Sequence, residues 1–158
     1  MEKYLRERGV KIGLGSKVTR IVGDGSGNVS SVHTMDGASY PADLVLVAIG
    51  VKPNIKLAEE AGLEIGSSGA IAVDELLRTS DPDIYAGGDC VESYNIVSGK
   101  KVFLPLGSTA NKHGRVIGDN VTGGKTRFPG IVGTVAFKVL DLNIGKTGLT
   151  EAEAERLG

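Results

Sequence analysis

Gly87, Gly88 and Asp89 stand together at the end of the segment TSDPDIYAGGDC (residues 79–90), with the chain's single cysteine, Cys90, directly after them. Glycines at the end of a short apolar run let a ligand come close to the backbone, and a carboxylate there can accept hydrogen bonds from sugar or polyol hydroxyls. The same three residues also suit a tight turn carrying a solvated carboxylate. A second candidate is LPLGSTANK (residues 104–112), where a helix is expected to open near Ser108 just after a glycine. Unpaired N–H groups at such a start carry partial positive charge and can hold an anion or an electron-rich heterocycle; an ordinary capped helix looks the same in sequence. Cys90 follows an acid, which disfavours a thiolate, so a small core residue outweighs a redox role. His33 and His113 have no evident partners and are expected to be structural.

Composition narrows the classes. Lys and Arg number 18 against 19 Asp and Glu, a net charge of −1, so neither nucleic acid nor an anionic membrane surface is an expected partner. One cysteine excludes an internal disulfide framework and a CxxC pair, and suits a reducing compartment, most simply the cytoplasm. No apolar run approaches a membrane span, and two isolated histidines argue against a metal site. Glycine, at 24 residues, is roughly double its usual share and punctuates turns; Trp is absent, so the core must be aliphatic.

The elements that must position these residues follow from patterning. Residues 2–8 read as a helix closed by Gly9. Runs at Val10–Leu14, Val18–Val22, Val29–Met35 and Ala38–Tyr40, linked by GDGSGN and DG, predict an antiparallel meander. The unbroken apolar run Leu44–Ile49, closed by Gly50, suits a strand buried on both faces. A short helix over Ile55–Ala61, a hairpin around Gly66–Gly69 and a buried strand over Ile84–Gly87 are expected next. The following helix places Ala110, Gly114, Ile117 and Val121 on one face, with Ser108 able to cap it and Gly123 and Gly124 ending it. KTRFPG (125–130) reads as an inter-domain link, residues 131–149 as strand, turn and strand, and Thr150 with Glu153 as a capping-box helix start.

ADLVLVAIGVKPN, TSDPDIYAGGDC and LPLGSTANKHGRVIGDN, in this order, resemble the FAD-domain motifs of the pyridine nucleotide-disulfide oxidoreductase family. Their spelling is closest to its coenzyme A-disulfide reductase and NADH oxidase/peroxidase branch, and the tail from Phe128 resembles the opening of that branch's dimerisation domain. The resemblance implies an α/β fold made of partial Rossmann-like FAD- and NAD(P)-binding domains with a β-meander. Residues 1–49 would end the NAD(P) domain, 50–124 form the second half of the FAD domain, and 125–158 begin an α+β dimerisation domain. Asp89 would hold a ribityl hydroxyl of FAD, with Gly88 letting the cofactor close. Leu106, Gly107, Ser108 and Thr109 would face the pyrimidine side of the isoalloxazine, and Gly50 would close the strand that returns from the NAD(P) domain. Asn54 matches the family's Asn, as a turn residue.

The departures from the pattern matter as much. Neither GxGxxG fingerprint is present, GLGSKV (13–18) lacking the third glycine, and no residue matches the family's redox cysteine. The chain therefore reads as an interior-to-late fragment with no catalytic residues of its own and no metal, inactive and cofactor-free alone. Its parent would pass hydride from NAD(P)H through FAD to a disulfide, sulfenate or oxygen acceptor. The alternative is a non-catalytic module that works by self-association. In either case a homodimer or strand exchange is expected, to cover apolar surface left by missing strands.

Overall fold

The computed structural model describes residues 1–157, which form two compact units, Met1–Gly50 and the part from Val51 onward. The first unit opens with α1 (Glu2–Glu7), stopped at Arg8 and followed by Gly9 with φ +82°. Three strands, β1 (Val18–Gly23), β2 (Val29–Thr34) and β3 (Ser39–Pro41), then make an antiparallel sheet in the order β1-β2-β3, the expected meander. Its first turn is held by the Asp24 carboxylate, which accepts from the amides of Ser26 and Asn28 and from the Ser26 hydroxyl. Those bonds, led by Ser26, bring the Asp24 pKa down to about 2 although the carboxyl is fully exposed.

Two expectations in this unit fail. Val10–Leu14 is not a strand; its backbone is irregular, and the Arg6 guanidinium donates to the Ile12 carbonyl at 2.9 Å. The run Leu44–Ile49 is neither a strand nor buried: Leu44, Leu46 and Ile49 are 79%, 83% and 92% exposed. A fully apolar strand needs a neighbour on each edge and a layer on each face, and among the described residues no backbone hydrogen bond reaches 43–50.

The second unit contains α2 (Lys56–Glu60), the hairpin β4 (Ser93–Asn95) and β5 (Lys100–Val102), the long α3 (Gly107–Asn120), the hairpin β6 (Val135–Val139) and β7 (Leu142–Lys146), and α4 (Glu151–Glu155). Its core gathers Ala58, Ile71, Val73, Leu77, Val91, Val116, Phe128 and Ile131, with no aromatic but Phe128. The hairpin expected at Gly66–Gly69 is present as an Ile65–Ile71 bridge with the Gly66 amide bonded to the Ala70 carbonyl. Residues 125–130 are packed rather than free: Phe128 and the following Ile131 are core residues, and Arg127 pairs with Glu75. Thr150 and Glu153 form the expected capping box, and Lys146 lies 2.8 Å from the Glu153 carboxylate.

Ile84–Gly87 is not the expected strand. One bridge, Arg78 to Tyr85, and two bonds, Thr79 amide to Ile84 carbonyl and Ala86 amide to Leu77 carbonyl, tie it on a single side. The buried face of α3 also lies elsewhere, on Thr109, His113, Val116 and Asn120. Ala110 and Ile117 are half-buried beside that face, Gly114 is exposed and Val121 is 59% exposed. Polar side chains define this face because they find partners inside. Asn120 donates to the Leu76 and Thr126 carbonyls and accepts from the Thr126 amide, all at 2.8–2.9 Å, which anchors the end of α3 to the turn bearing Leu77. Hydropathy cannot register a polar residue that is satisfied on burial.

Candidate functional site

The chain leaves the Leu77 carbonyl at Ala86 and runs directly onto α3. Gly87 must be glycine for space: a Cβ there would stand 2.7 Å from Ile117 Cδ1 and 3.0 Å from His113 Cβ. Gly88 must be glycine for conformation, since its φ is +88° while its missing Cβ would meet only Ala110 Cβ at 3.8 Å. The contact with Ala110 brings the loop against the first turns of α3. Asp89 follows, exposed, its carboxylate accepting no hydrogen bond from the described residues. Cys90 is half-buried; its thiol lies 3.5 Å from the Gly87 carbonyl and its own carbonyl accepts from the Ile71 amide. It faces inward as part of the loop's support, as expected of a small core residue.

The start of α3 differs from the expected one. Leu106 is the N-cap, extended at φ −140° and ψ 127°, and no side chain caps the helix, so Ser108 is not a cap but lies within the first turn. The amides of Thr109 and Ala110 bond to the Leu106 carbonyl, while those of Gly107 and Ser108 have no acceptor among the described residues and are exposed. Thr109 turns inward and is 8% exposed. Exposed Lys112 and Arg115 line the open depression around Gly107, Ser108 and Asn111, adding positive charge beside the helix opening. Gly50 is the last residue of the first unit, exposed, with φ +100° and open space around its Cα.

His113, expected to be without partners, is instead the centre of the support, at 1% exposure. Its Nδ1 lies 3.1 Å from the Gly88 amide, its Nε2 within 3.5 Å of the Ser93 hydroxyl, and the Phe128 ring meets it edge-on at 4.4 Å and 85°. Burial pushes the imidazole pKa below its usual value, and the nearby Asp89 charge opposes this more weakly. No sequence signal could have found it: the loop and the helix are 25 residues apart.

The donor set suits a flat, electron-rich ring with a polyol arm. Two unpartnered amides at a positive helix end can meet an electron-rich ring edge, an unpartnered carboxylate can take a hydroxyl proton, and two glycines keep the wall between them low. A metal does not suit it, since no group of three His, Cys, Asp or Glu could hold one among the described residues. No helix of the described residues is long and apolar enough to cross a membrane.

Comparison with known proteins places the chain among oxidoreductases. NAD(P)H sulfur oxidoreductase (CoA-dependent) of Pyrococcus furiosus is 47% identical over 135 residues, covering 85% of this chain and 30% of that enzyme. A NAD-dependent persulfide reductase from A. fulgidus superposes with a TM-score of 0.92 at 50% identity, over 99% of this chain and 28% of its own. An FAD-dependent pyridine nucleotide-disulphide oxidoreductase from Desulfovibrio vulgaris gives 0.91 at 48% identity, covering 99% of this chain and 39% of that one. The chain thus spans about a third of the length of these relatives, in the mixed α/β architecture they share. Residues 1–114 match the family described as pyridine nucleotide-disulphide oxidoreductase, and the chain belongs to that family.

Proposed function

We propose that this chain supplies one wall of a flavin site in an NAD(P)H-dependent oxidoreductase that reduces a sulfur–sulfur bond. The observation that carries the reading is the Gly88–Asp89 loop seated on α3 while the Asp89 carboxylate and the Gly107 and Ser108 amides have no hydrogen-bond partner among the described residues. Bound FAD would accept hydride from NAD(P)H and pass the electrons on. This chain's residues would bind and tune it: Asp89 taking a ribityl hydroxyl, Gly88 allowing close approach, and Leu106 to Thr109 presenting the helix opening to the pyrimidine side. A positive helix end there favours negative charge on the reduced ring. The names of the relatives, a sulfur oxidoreductase and a persulfide reductase, favour disulfide or persulfide over oxygen as acceptor.

In this reading residues 1–49 close the NAD(P)-binding domain, 50–124 belong to the FAD domain with Gly50 at the return, and 125–158 open a dimerisation domain. The pyrophosphate is held elsewhere in such proteins, so the chain alone should purify colourless and bind flavin weakly. Titrating FAD into the labelled chain, followed by amide chemical shifts, tests the site. The amides of Gly88, Asp89, Gly107 and Ser108 should move together, and Asp89→Asn should weaken binding by roughly fivefold or more, the loss of one charge-assisted hydrogen bond. Shifts elsewhere, or none at these four, would sink the assignment.

A second reading, a cytoplasmic self-associating module without cofactor, is favoured by one feature, the exposed run from Leu44 to Val51. Such a segment with unpaired backbone on both edges pairs with another chain when one is offered. Flavin binding separates the two readings, since the second takes no cofactor.

A further inference from the structure

We propose that His113 is a positioning residue that clamps the Gly87–Gly88 turn through the Gly88 amide and so sets where the Asp89 carboxylate points. The geometry assigns its protonation. An amide N–H can only donate, so the Nδ1 atom 3.1 Å away must offer a lone pair; the ring is neutral, with its proton on Nε2, directed toward the Ser93 hydroxyl. The ring cannot slide out of this pose. The edge of Phe128 stands against it, and Gly87 lies so close to its Cβ that even a methyl group would not fit without movement. The clamp therefore joins α3, the loop and β4 at one side chain that is 1% exposed.

A second proton on the ring would place an N–H on Nδ1 opposite the Gly88 N–H. Two donors would then face each other, and the half-buried Gly88 amide would lose its acceptor. The charged and titratable groups around the ring are few. Asp89 and Cys90 are on the loop. Glu92 leads into β4, held by Ser68 and Lys101. Arg127, beside Phe128, is paired with Glu75, and Lys112 and Arg115 point outward from α3. Of these, Asp89 pulls toward the charged ring, and burial, the larger effect, holds it neutral. The site's own carboxylate thus works against the clamp that aims it, but more weakly than burial supports it. The clamp stands without any ligand; only its consequence for a flavin rests on the function proposed above.

The test uses the full 158-residue chain, labelled with ¹⁵N and without flavin. Long-range ¹⁵N spectra should show His113 Nδ1 unprotonated and Nε2 protonated near neutral pH, and the reverse tautomer would overturn the proposal with no mutation involved. Exchange of the Gly88 amide should be protected at about pH 7.5 and lose roughly tenfold in protection, beyond the intrinsic pH trend, as His113 protonates below its ordinary 6.5. His113→Asn, whose Oδ1 can stand where Nδ1 stands, should keep the protection and abolish its pH dependence; His113→Phe should lose it at both pH values. Equal Gly88 protection in wild type and His113→Phe, with β4 amides unchanged, would show the ring to be mere packing. Flavin titration fails or succeeds separately, so a failed flavin site and a failed clamp give different results.

Discussion

Gly87→Ala is the sharpest probe of how the loop is seated. The added methyl would stand 3.0 Å from His113 Cβ, which belongs to the helix and must give by a few tenths of an ångström, and 2.7 Å from Ile117 Cδ1, which can rotate. Overpacking of this kind costs about 1–3 kcal/mol. Gly87 does not have a positive φ, so alanine also gains about 0.4–1 kcal/mol by restricting the unfolded chain. The expected net loss is about 1–2 kcal/mol. Removing the rotatable obstacle should return part of it: Ile117→Val deletes Cδ1, and in the double variant the coupling should recover about 0.5–1 kcal/mol relative to additivity. Gly88→Ala is the internal control. Its methyl has room, so its cost of about 1–2 kcal/mol comes from φ +88° alone and should add to Ile117→Val without coupling. Urea unfolding followed by far-ultraviolet circular dichroism measures wild type and the five variants. A neutral Gly87→Ala, or the same coupling to Ile117 at both glycines, would refute the close approach of loop and helix.

Asn120→Ala removes an acceptor and two donated bonds at 6% exposure and should cost about 2–4 kcal/mol in urea unfolding; a loss under about 1 kcal/mol would refute the anchoring. The Glu153 carboxyl is held down to about 2 from its ordinary 4.5, first by Lys146 and then by Thr150. Because its folded pKa is depressed, its stabilisation of α4 is present above 4.5 and is lost as pH falls toward about 2; a carboxyl NMR titration should show that low midpoint, and Lys146→Ala should raise it. Leu46→Lys with Ile49→Lys should lower the association constant measured by analytical ultracentrifugation by tenfold or more, and unchanged association would place the contact elsewhere.

Local patterning was enough for the elements whose causes are local. The meander of β1 to β3 follows from alternation and Gly- or Asp-rich turns, and α4 from a capping box contained in Thr150 to Glu153. The candidate loop and helix opening were also legible, because Gly-Gly-Asp and Leu-Gly-Ser-Thr are unusual locally and their order along the chain is specific. Leu44–Ile49 misled for a physical reason: continuous apolarity states that a segment needs burial on both sides, but not that neighbours are there to provide it.

The face of α3 was settled only by tertiary structure. By hydropathy Ala110, Ile117 and Val121 outrank His113 and Asn120, yet the latter are inside because Gly88 and Ser93 meet His113, and Leu76 and Thr126 meet Asn120, with hydrogen bonds from outside the helix. The amino-acid order alone thus determined the Gly-Gly turn and a helix opening near residue 107, since these depend on residue type and local backbone; the flavin role proposed for them comes from the family resemblance. Which side chain holds them in place depends on long-range partners, and a one-dimensional pattern carries no record of those.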